Sequence, residues 1–534
     1  MIPAALRRST APLLLLAAAV TFFAAWLPLL PVLPPLFDGR AFRDLADPRI
    51  AGLFGRTLGL SAGSAAIALA AGLPLGVLAT RVAAPGRSLW RLLLPLPLLL
   101  PPLLLAQAWH GLTGMDGPGA SRFVLGLCYA PFPALFAARA LERQSASAHE
   151  AALLAGGRRA ALGEMLRTAW PAALLGAALA FLFASTDFAV PDYFAAVGDK
   201  FSVYPAEVFN AWRRADLDPA NAAAAYQEGM AVAAPLVVLA ALVLLAALVL
   251  GDRASGEDAG SGRPAPALAP SGPWRLVALL LGLGLSGLLL LAPLARIVFE
   301  TGAAGPLAEG AWSDRAAAAF REAADRGRED LARSLRTGVL AGALALVVAP
   351  VWAHLLLRLG RGLRARLLQV ALALPLIAPA VGLGLGTILV YNRDLFWDFY
   401  DGPLLPPLVL AGRFLPVAVF LLLERMRRQP RTQEESAALA GASAAQRLFR
   451  YRLGPARGAW LLAGGLVAVF AVRELDLAIL IPAANSSAAV RYYNALHFAR
   501  DNFVAAFGLL IALVLFLPVM IASALRREPR GDRS

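Results

Sequence analysis

Glu150-Ala151-Ala152-Leu153-Leu154-Ala155-Gly156 decides how this 534-residue chain is read, because it returns as Glu435-Ser436-Ala437-Ala438-Leu439-Ala440-Gly441. Each copy has a hydroxyl three residues upstream, Ser147 and Thr432. Ser/Thr-x-x-Glu ahead of an apolar run is a helix-start signal: the hydroxyl accepts the N3 amide and the Glu reaches back to the cap amide. This predicts capping boxes Ser147–Glu150 and Thr432–Glu435. Gly156 and Gly441, six residues after each Glu, suit a left-handed helix stop with φ > 0. A second short helix then runs to Pro171 in one copy and Pro455 in the other. The same polar helix–Gly–helix loop is expected twice, over 145–171 and 430–456, each time between very hydrophobic segments.

Those flanking segments set the class. With 59% hydrophobic residues and apolar runs of helical spanning length throughout, the chain reads as an all-α integral membrane protein. Spans are expected near 11–37, 57–79, 92–112, 123–140, 169–190, 230–250, 274–299, 335–357, 367–391, 403–423, 456–481 and 502–525. The net charge of +14 does not indicate nucleic-acid binding, because the arginines sit in short loops beside apolar runs and no basic globular domain remains outside the spans. Arg81, Arg139, Arg158, Arg159, Arg358, Arg447 and Arg450 belong to loops that fall on one side if about twelve spans begin and end in the cytoplasm. The opposite loops are acidic, with Asp192, Asp199, Glu207, Asp394, Asp398 and Asp401. The first run is too long and proline-rich for a signal peptide and reads as an uncleaved span.

Residues 251–273, rich in Gly, Ser and Pro, form a flexible cytoplasmic linker between two halves, 1–250 and 274–534. The halves are weakly alike. Arg56-Thr57-Leu58 matches Arg333-Ser334-Leu335, the Pro97/Pro101 pair matches Pro375/Pro379, and Phe183 to Asp187 matches Phe470 to Glu474. Six spans in each half give two parallel repeats, with both loops facing the cytoplasm.

The doubled Glu-Ala-Ala…Gly loop resembles the coupling loop of binding-protein-dependent ABC importer permeases, and the two-in-one length resembles the fused permeases of the ferric-iron, thiamine and polyamine branch. The resemblance covers most of both halves. The second copy departs from the pattern at Ser436 and at Gly454, where a bulky apolar residue is usual. The resemblance implies that Glu150, Ala151, Ala152, Gly156, Glu435, Ala437 and Gly441 lie on surfaces that dock two copies of an ATP-binding subunit. It also implies an extracytoplasmic solute-binding protein, and an inner-membrane location. Arg473-Glu474-Leu475 and Val490-Arg491-Tyr492-Tyr493-Asn494 look most like the ferric-iron type, with thiamine, a polyamine or another small solute as the alternative.

The chain's own residues agree that energy comes from elsewhere. Its single lysine, Lys200, stands in Gly198-Asp199-Lys200-Phe201, which is not the Gly-Lys-Ser/Thr of a phosphate loop. ATP and magnesium are therefore expected on the partner subunit, with no cofactor held by this chain. No catalytic motif is present, and the four histidines, His110, His149, His354 and His497, are too scattered to suggest a metal site. The lone Cys128 reads as a buried thiol.

Asp187, Glu474 and Asp476 fall within or at the edge of spans, where ionisable groups are costly and usually face a cavity or a partner. They are candidates for the translocation path, or for interfacial groups with Arg473 paired to a neighbouring acid. Residues 312–332 read as an extracytoplasmic amphipathic helix. A 6+6 secondary transporter driven by an ion gradient shares this span count, but it would need ionisable groups deep in the spans and gives no reason for two matched loops.

Overall fold

Proline sets the most abrupt features of the fold. A computed structural model describes residues 4–83, 86–254, 265–268, 272–303, 310–482, 485–497 and 501–525. Two expected spans, 92–112 and 367–391, are not single helices. Arg87–Leu99 and Pro102–Thr113 meet at 102°, and Leu363–Ile377 and Ala380–Tyr391 meet at 92°. The breaks fall at Leu100 (ψ 143°) and Ala378 (ψ 151°), each directly before a proline, Pro101 or Pro379. A proline ring forces the preceding residue out of the helical region and removes a helical donor, so both segments turn rather than kink.

The other apolar segments are continuous. Nine helices among the described residues are long and apolar enough to cross a membrane, or eleven if each bent pair is one span. The last helix, Asp501–Leu525, enters that comparison only as the shorter apolar stretch Asn502–Leu517. No strand forms among the described residues, where the β pairing is the isolated bridge Val82↔Leu268. The protein is therefore an all-α, multi-pass membrane protein. The helix Trp312–Leu359 absorbs both the amphipathic stretch 312–332 and the span that follows it. At ~1.5 Å per residue it runs for about 70 Å, more than twice the ~30 Å hydrocarbon core, so much of it stands outside the bilayer.

The chain divides into two compact units that cut across sequence order. One comprises Leu29–Arg296 and Arg361–Leu389; the other comprises Met1–Pro28, Ile297–Gly360 and Val390–Ser534. The amino-terminal helix thus belongs with the carboxy-terminal half. There Trp352 Nε1 donates to Thr21 Oγ1 at 2.9 Å, and Tyr391 donates its hydroxyl to the Phe23 carbonyl at 2.6 Å. Phe23 lies in a π-helical turn, Phe22–Trp26. In the same unit a Cβ on Gly412 would stand 2.6 Å from the Ala24 carbonyl, so the missing side chain lets two helices touch.

Each unit ties a short helix to a long one by the same device. The Tyr204 amide, at the start of Tyr204–Leu217, donates to Thr57 Oγ1 at 2.8 Å. The Ala488 amide, at the start of Ala488–His497, donates to Ser334 Oγ at 2.8 Å. Three residues further on, an ion pair joins the same elements with its sign reversed: Glu207 accepts from Arg49 at 3.0 and 3.2 Å, whereas Arg491 donates to Asp330. The hydrogen bond from Arg49 holds the Glu207 carboxyl below its usual range, against burial, which raises it.

Candidate functional site

The first loop starts two residues earlier than expected. Ser145, extended at φ −73° and ψ 148°, caps the helix Ala146–Thr186 by accepting from the Ala148 amide at 3.3 Å. Ser147 lies inside the helix with its hydroxyl 3.1 Å from that of Ser145, so the expected Ser147–Glu150 box does not form. Burial of His149 fixes this register and turns Glu150 and Ala151 to the exposed side, with Ala152 half-buried. The left-handed residue also shifts by one: Gly156 is extended at φ −161°, and Gly157 takes φ 64°, ψ −153°. That combination is essentially open to glycine alone.

The second loop reaches a similar turn by other means. Its helix, Arg431–Leu439, follows Pro430 without a side-chain cap, and Thr432 lies within it, so the Thr432–Glu435 box is absent too. Proline can open a helix because the first amides have no intrahelical acceptor. Gly441 is left-handed at φ 81°. The Ala442 amide donates to the Ala437 carbonyl at 2.9 Å and the Gly441 amide to the Ala438 carbonyl at 3.1 Å, a Schellman closure. A complete capping box does exist in this loop, but on the next helix: Ser443 and Gln446 satisfy one another's amides at 2.9 and 3.2 Å. Glu435 is exposed and Ala437 is buried.

Directly before each motif glutamate, a side chain turns inward and meets an arginine from the end of a long helix. In the first loop, His149 Nδ1 lies 3.4 Å from Arg81 Nη2, with both residues buried. Arg81 also donates to the Ala265 carbonyl at 3.4 Å. Residues 265–268, part of the expected linker, are held here: Leu268 donates to the Arg81 carbonyl at 2.6 Å, and Ala265 to the Gln144 carbonyl at 3.0 Å. Residues 255–264 and 269–271 of that linker lie outside the described residues.

In the second loop, Glu434 takes the place of His149. Arg452 donates to it at 2.6 and 2.7 Å, and Arg358 Nη2 stands 3.8 Å away. Burial alone would raise the Glu434 carboxyl, but the hydrogen bond and charge of Arg452, with the charge of Arg358, hold it below the ordinary carboxylate value. Gln429 completes the joint by donating to the Arg452 carbonyl at 2.9 Å. Arg81, Arg358 and Arg447 count as side-determining loop charges in the sequence; their burial or pairing required the fold to see. The adjacency of His149 and Glu434 to the motif was the available signal.

At the tip of each motif a leucine points outward. Leu154 is 90% exposed and Leu439 91%, each two residues before the motif glycine. Both leucines are thus left open at the same motif position.

The candidate pathway acids also take matching local roles, in separate units. Asp187 follows the last residue of Ala146–Thr186, and its Oδ1 accepts from the Val190 amide at 3.0 Å. Glu474 follows Arg457–Arg473, and its Oε1 accepts from the Leu477 amide at 3.2 Å. The expected spans 169–190 and 456–481 therefore stop early as helices, at Thr186 and Arg473, where these carboxylates begin new turns. Tyr129 donates to Asp187 at 3.4 Å, and Arg413 stands 3.6 Å from Glu474. Arg473 lies over the Phe470 ring at 5.3 Å. Asp476 is half-buried just beyond Glu474.

The fold defines a multi-pass, all-α membrane protein carrying two similar polar helix–glycine–helix loops. No protein-family model and no curated protein matches the chain.

Proposed function

We propose that the chain is the membrane-spanning permease of an ATP-binding-cassette importer. In this reading two parallel six-helix repeats make about twelve spans in the inner membrane, with both termini and both loops in the cytoplasm. Two copies of an ATP-binding subunit, which use ATP and magnesium, hold one loop each. An extracytoplasmic binding protein delivers the substrate, ferric iron by resemblance. The chain itself hydrolyses nothing. It supplies two packings of similar stability, and the ATPases bias them through the loops.

The observation that carries this reading is the pair Leu154 and Leu439, nearly fully exposed at the same place in both motifs. A lone exposed leucine is ordinary, but two at matched positions suit two copies of one apolar groove. The shared Thr57/Ser334 anchors, proline breaks and Asp187/Glu474 caps support the repeat.

The test is reconstitution with the candidate ATPase and binding protein. Binding protein should stimulate ATP hydrolysis, and Leu154→Asp or Leu439→Asp should abolish that stimulation without lowering the stability of the isolated chain. Solute movement by the chain alone, without a nucleotide-hydrolysing companion, would overturn the reading.

A further inference from the structure

Positive charge collects where Trp312–Leu359 ends against the second loop. Arg358 and Arg452 share one carboxylate, Glu434, and Arg447 lies with them within electrostatic reach of His354. Three guanidiniums against one carboxylate leave two positive charges over. Arg447 is only 7% exposed, and its Nε finds no acceptor. His354, 5% exposed, has no partner on either ring nitrogen and lies within electrostatic reach of all four charged groups. Arginine is almost never buried this far unless paired, because desolvating a guanidinium costs more than packing its stem returns. Among the described residues no carboxylate is paired with Arg447, which leaves it open to a further acceptor.

We propose that Arg358, Arg447, Arg452 and His354 bind a phosphate-bearing anion, the headgroup of an anionic phospholipid from the adjoining leaflet. A phosphate offers several acceptor oxygens to guanidinium forks and takes a further donor from a neutral imidazole. Position favours a lipid over a soluble anion. His354 and Arg358 occupy the last turns of a membrane-crossing helix, and basic pockets at such depths hold acidic headgroups. Leu359, Phe449 and Leu461 are exposed in the same unit and offer apolar contact to acyl chains. The inference requires neither an ATPase partner nor a particular sidedness.

The full chain is reconstituted in nanodiscs of phosphatidylcholine with or without phosphatidylglycerol, and retained lipid is measured by native mass spectrometry alongside the thermal midpoint. Phosphatidylglycerol should be retained and should raise the midpoint. Arg447→Gln should cut retention about tenfold, the scale of one lost charge-assisted contact. Arg450→Gln, which alters an exposed neighbour, should not. If millimolar inorganic phosphate in detergent protects the protein as well, and Arg447→Gln abolishes that protection, the site stands and its anion is soluble. If wild type retains phosphatidylglycerol no better than phosphatidylcholine and phosphate gives no protection, the site does not exist. Equal losses in Arg447→Gln and Arg450→Gln would likewise overturn it, as would burial of Arg447 by an acidic partner protein alone. Should Arg447→Gln not fold, the wild-type lipid comparison and Arg447→Lys decide.

Discussion

The two loops share a motif and differ in how they are fastened. Both present an exposed leucine, turn at a glycine and set an inward side chain against an arginine from a long helix. In the second loop that side chain is Glu434, held between Arg452 and Arg358. In the first it is His149, in contact with Arg81, and backbone bonds to residues 265–268 add what the histidine cannot. A carboxylate between two guanidiniums gains charge-assisted hydrogen bonds, whereas a neutral imidazole offers one modest contact. Similar outward surfaces are thus carried on a stiff joint and a soft one. The shared motif sets the outward face, and the means of holding it differs between the two loops.

Breaking the stiff joint should produce the largest effect. Glu434→Gln leaves Arg452 buried beside an amide and should destabilise the purified chain by about 2–3 kcal/mol, the low side for a broken buried pair because Glu434 keeps some exposure. Thermal melting reads this directly. Combining it with Arg452→Gln should recover part of the loss, since the stranded charge goes too. An additive double variant would show that the pair contributes no coupling.

The two joints also differ in their pH signatures: burial and Arg81 lower the His149 imidazole in the first, whereas a carboxylate titrates in the second. Glu434 is depressed in the fold from its ordinary value of 4.5. Its contribution is therefore fully present above that value and is lost as pH falls through the lower folded value. Hydrogen exchange in Arg431–Leu439, corrected for intrinsic rates, should quicken below about pH 4.5, and Glu434→Gln should remove that dependence. Exchange that ignores pH in the wild type would take the carboxylate out of the account.

The glycines sharpen the comparison next. Gly157→Ala places a Cβ at φ 64°, ψ −153° and should cost about 1–3 kcal/mol, against about 1–2 for Gly441→Ala in the ordinary left-handed region. Gly156→Ala should cost less, since φ −161° is open to any residue, although the Ala160 methyl, 2.9 Å from the added Cβ, has to give way. Melting midpoints ranked Gly157, Gly441, Gly156 by loss would support this assignment. A larger loss at Gly156 would return the turn to the motif position.

These details mark where sequence reading stops. Apolar runs announced the membrane class because their length and composition are local properties, and Pro97/Pro101 with Pro375/Pro379 flagged the two disrupted spans. Whether a proline kinks a helix or turns it through 102° depends on what packs around it, which spacing does not encode. The capping boxes were misplaced for a related reason. Ser145 and Ser147 carry the same hydroxyl, and burial of His149, a tertiary fact, chose between them. Nor did sequence order foretell that Met1–Pro28 belongs with the later half, since any apolar span can find lateral partners. Asp187 and Glu474 were legible as unusual, but their hydrogen bonds to Val190 and Leu477 show each starting a new turn, a job invisible in residue type alone.

The smallest expected effect bears most closely on why the joints differ. His149→Glu gives buried Arg81 a carboxylate, turning the soft joint into a copy of the stiff one. A charge-assisted bond less the cost of burying the new acid should leave a gain of about 1 kcal/mol in melting stability. If the proposed importer function holds and the softness of the first loop serves it, that gain will accompany slower solute movement in the reconstituted complex, because in that proposal the loop shifts between two packings. His149→Gln, which keeps a neutral acceptor, should change neither quantity by much. A gain in stability with unchanged transport would mean that the histidine is merely tolerated, the backbone contacts of 265–268 being sufficient to hold the loop.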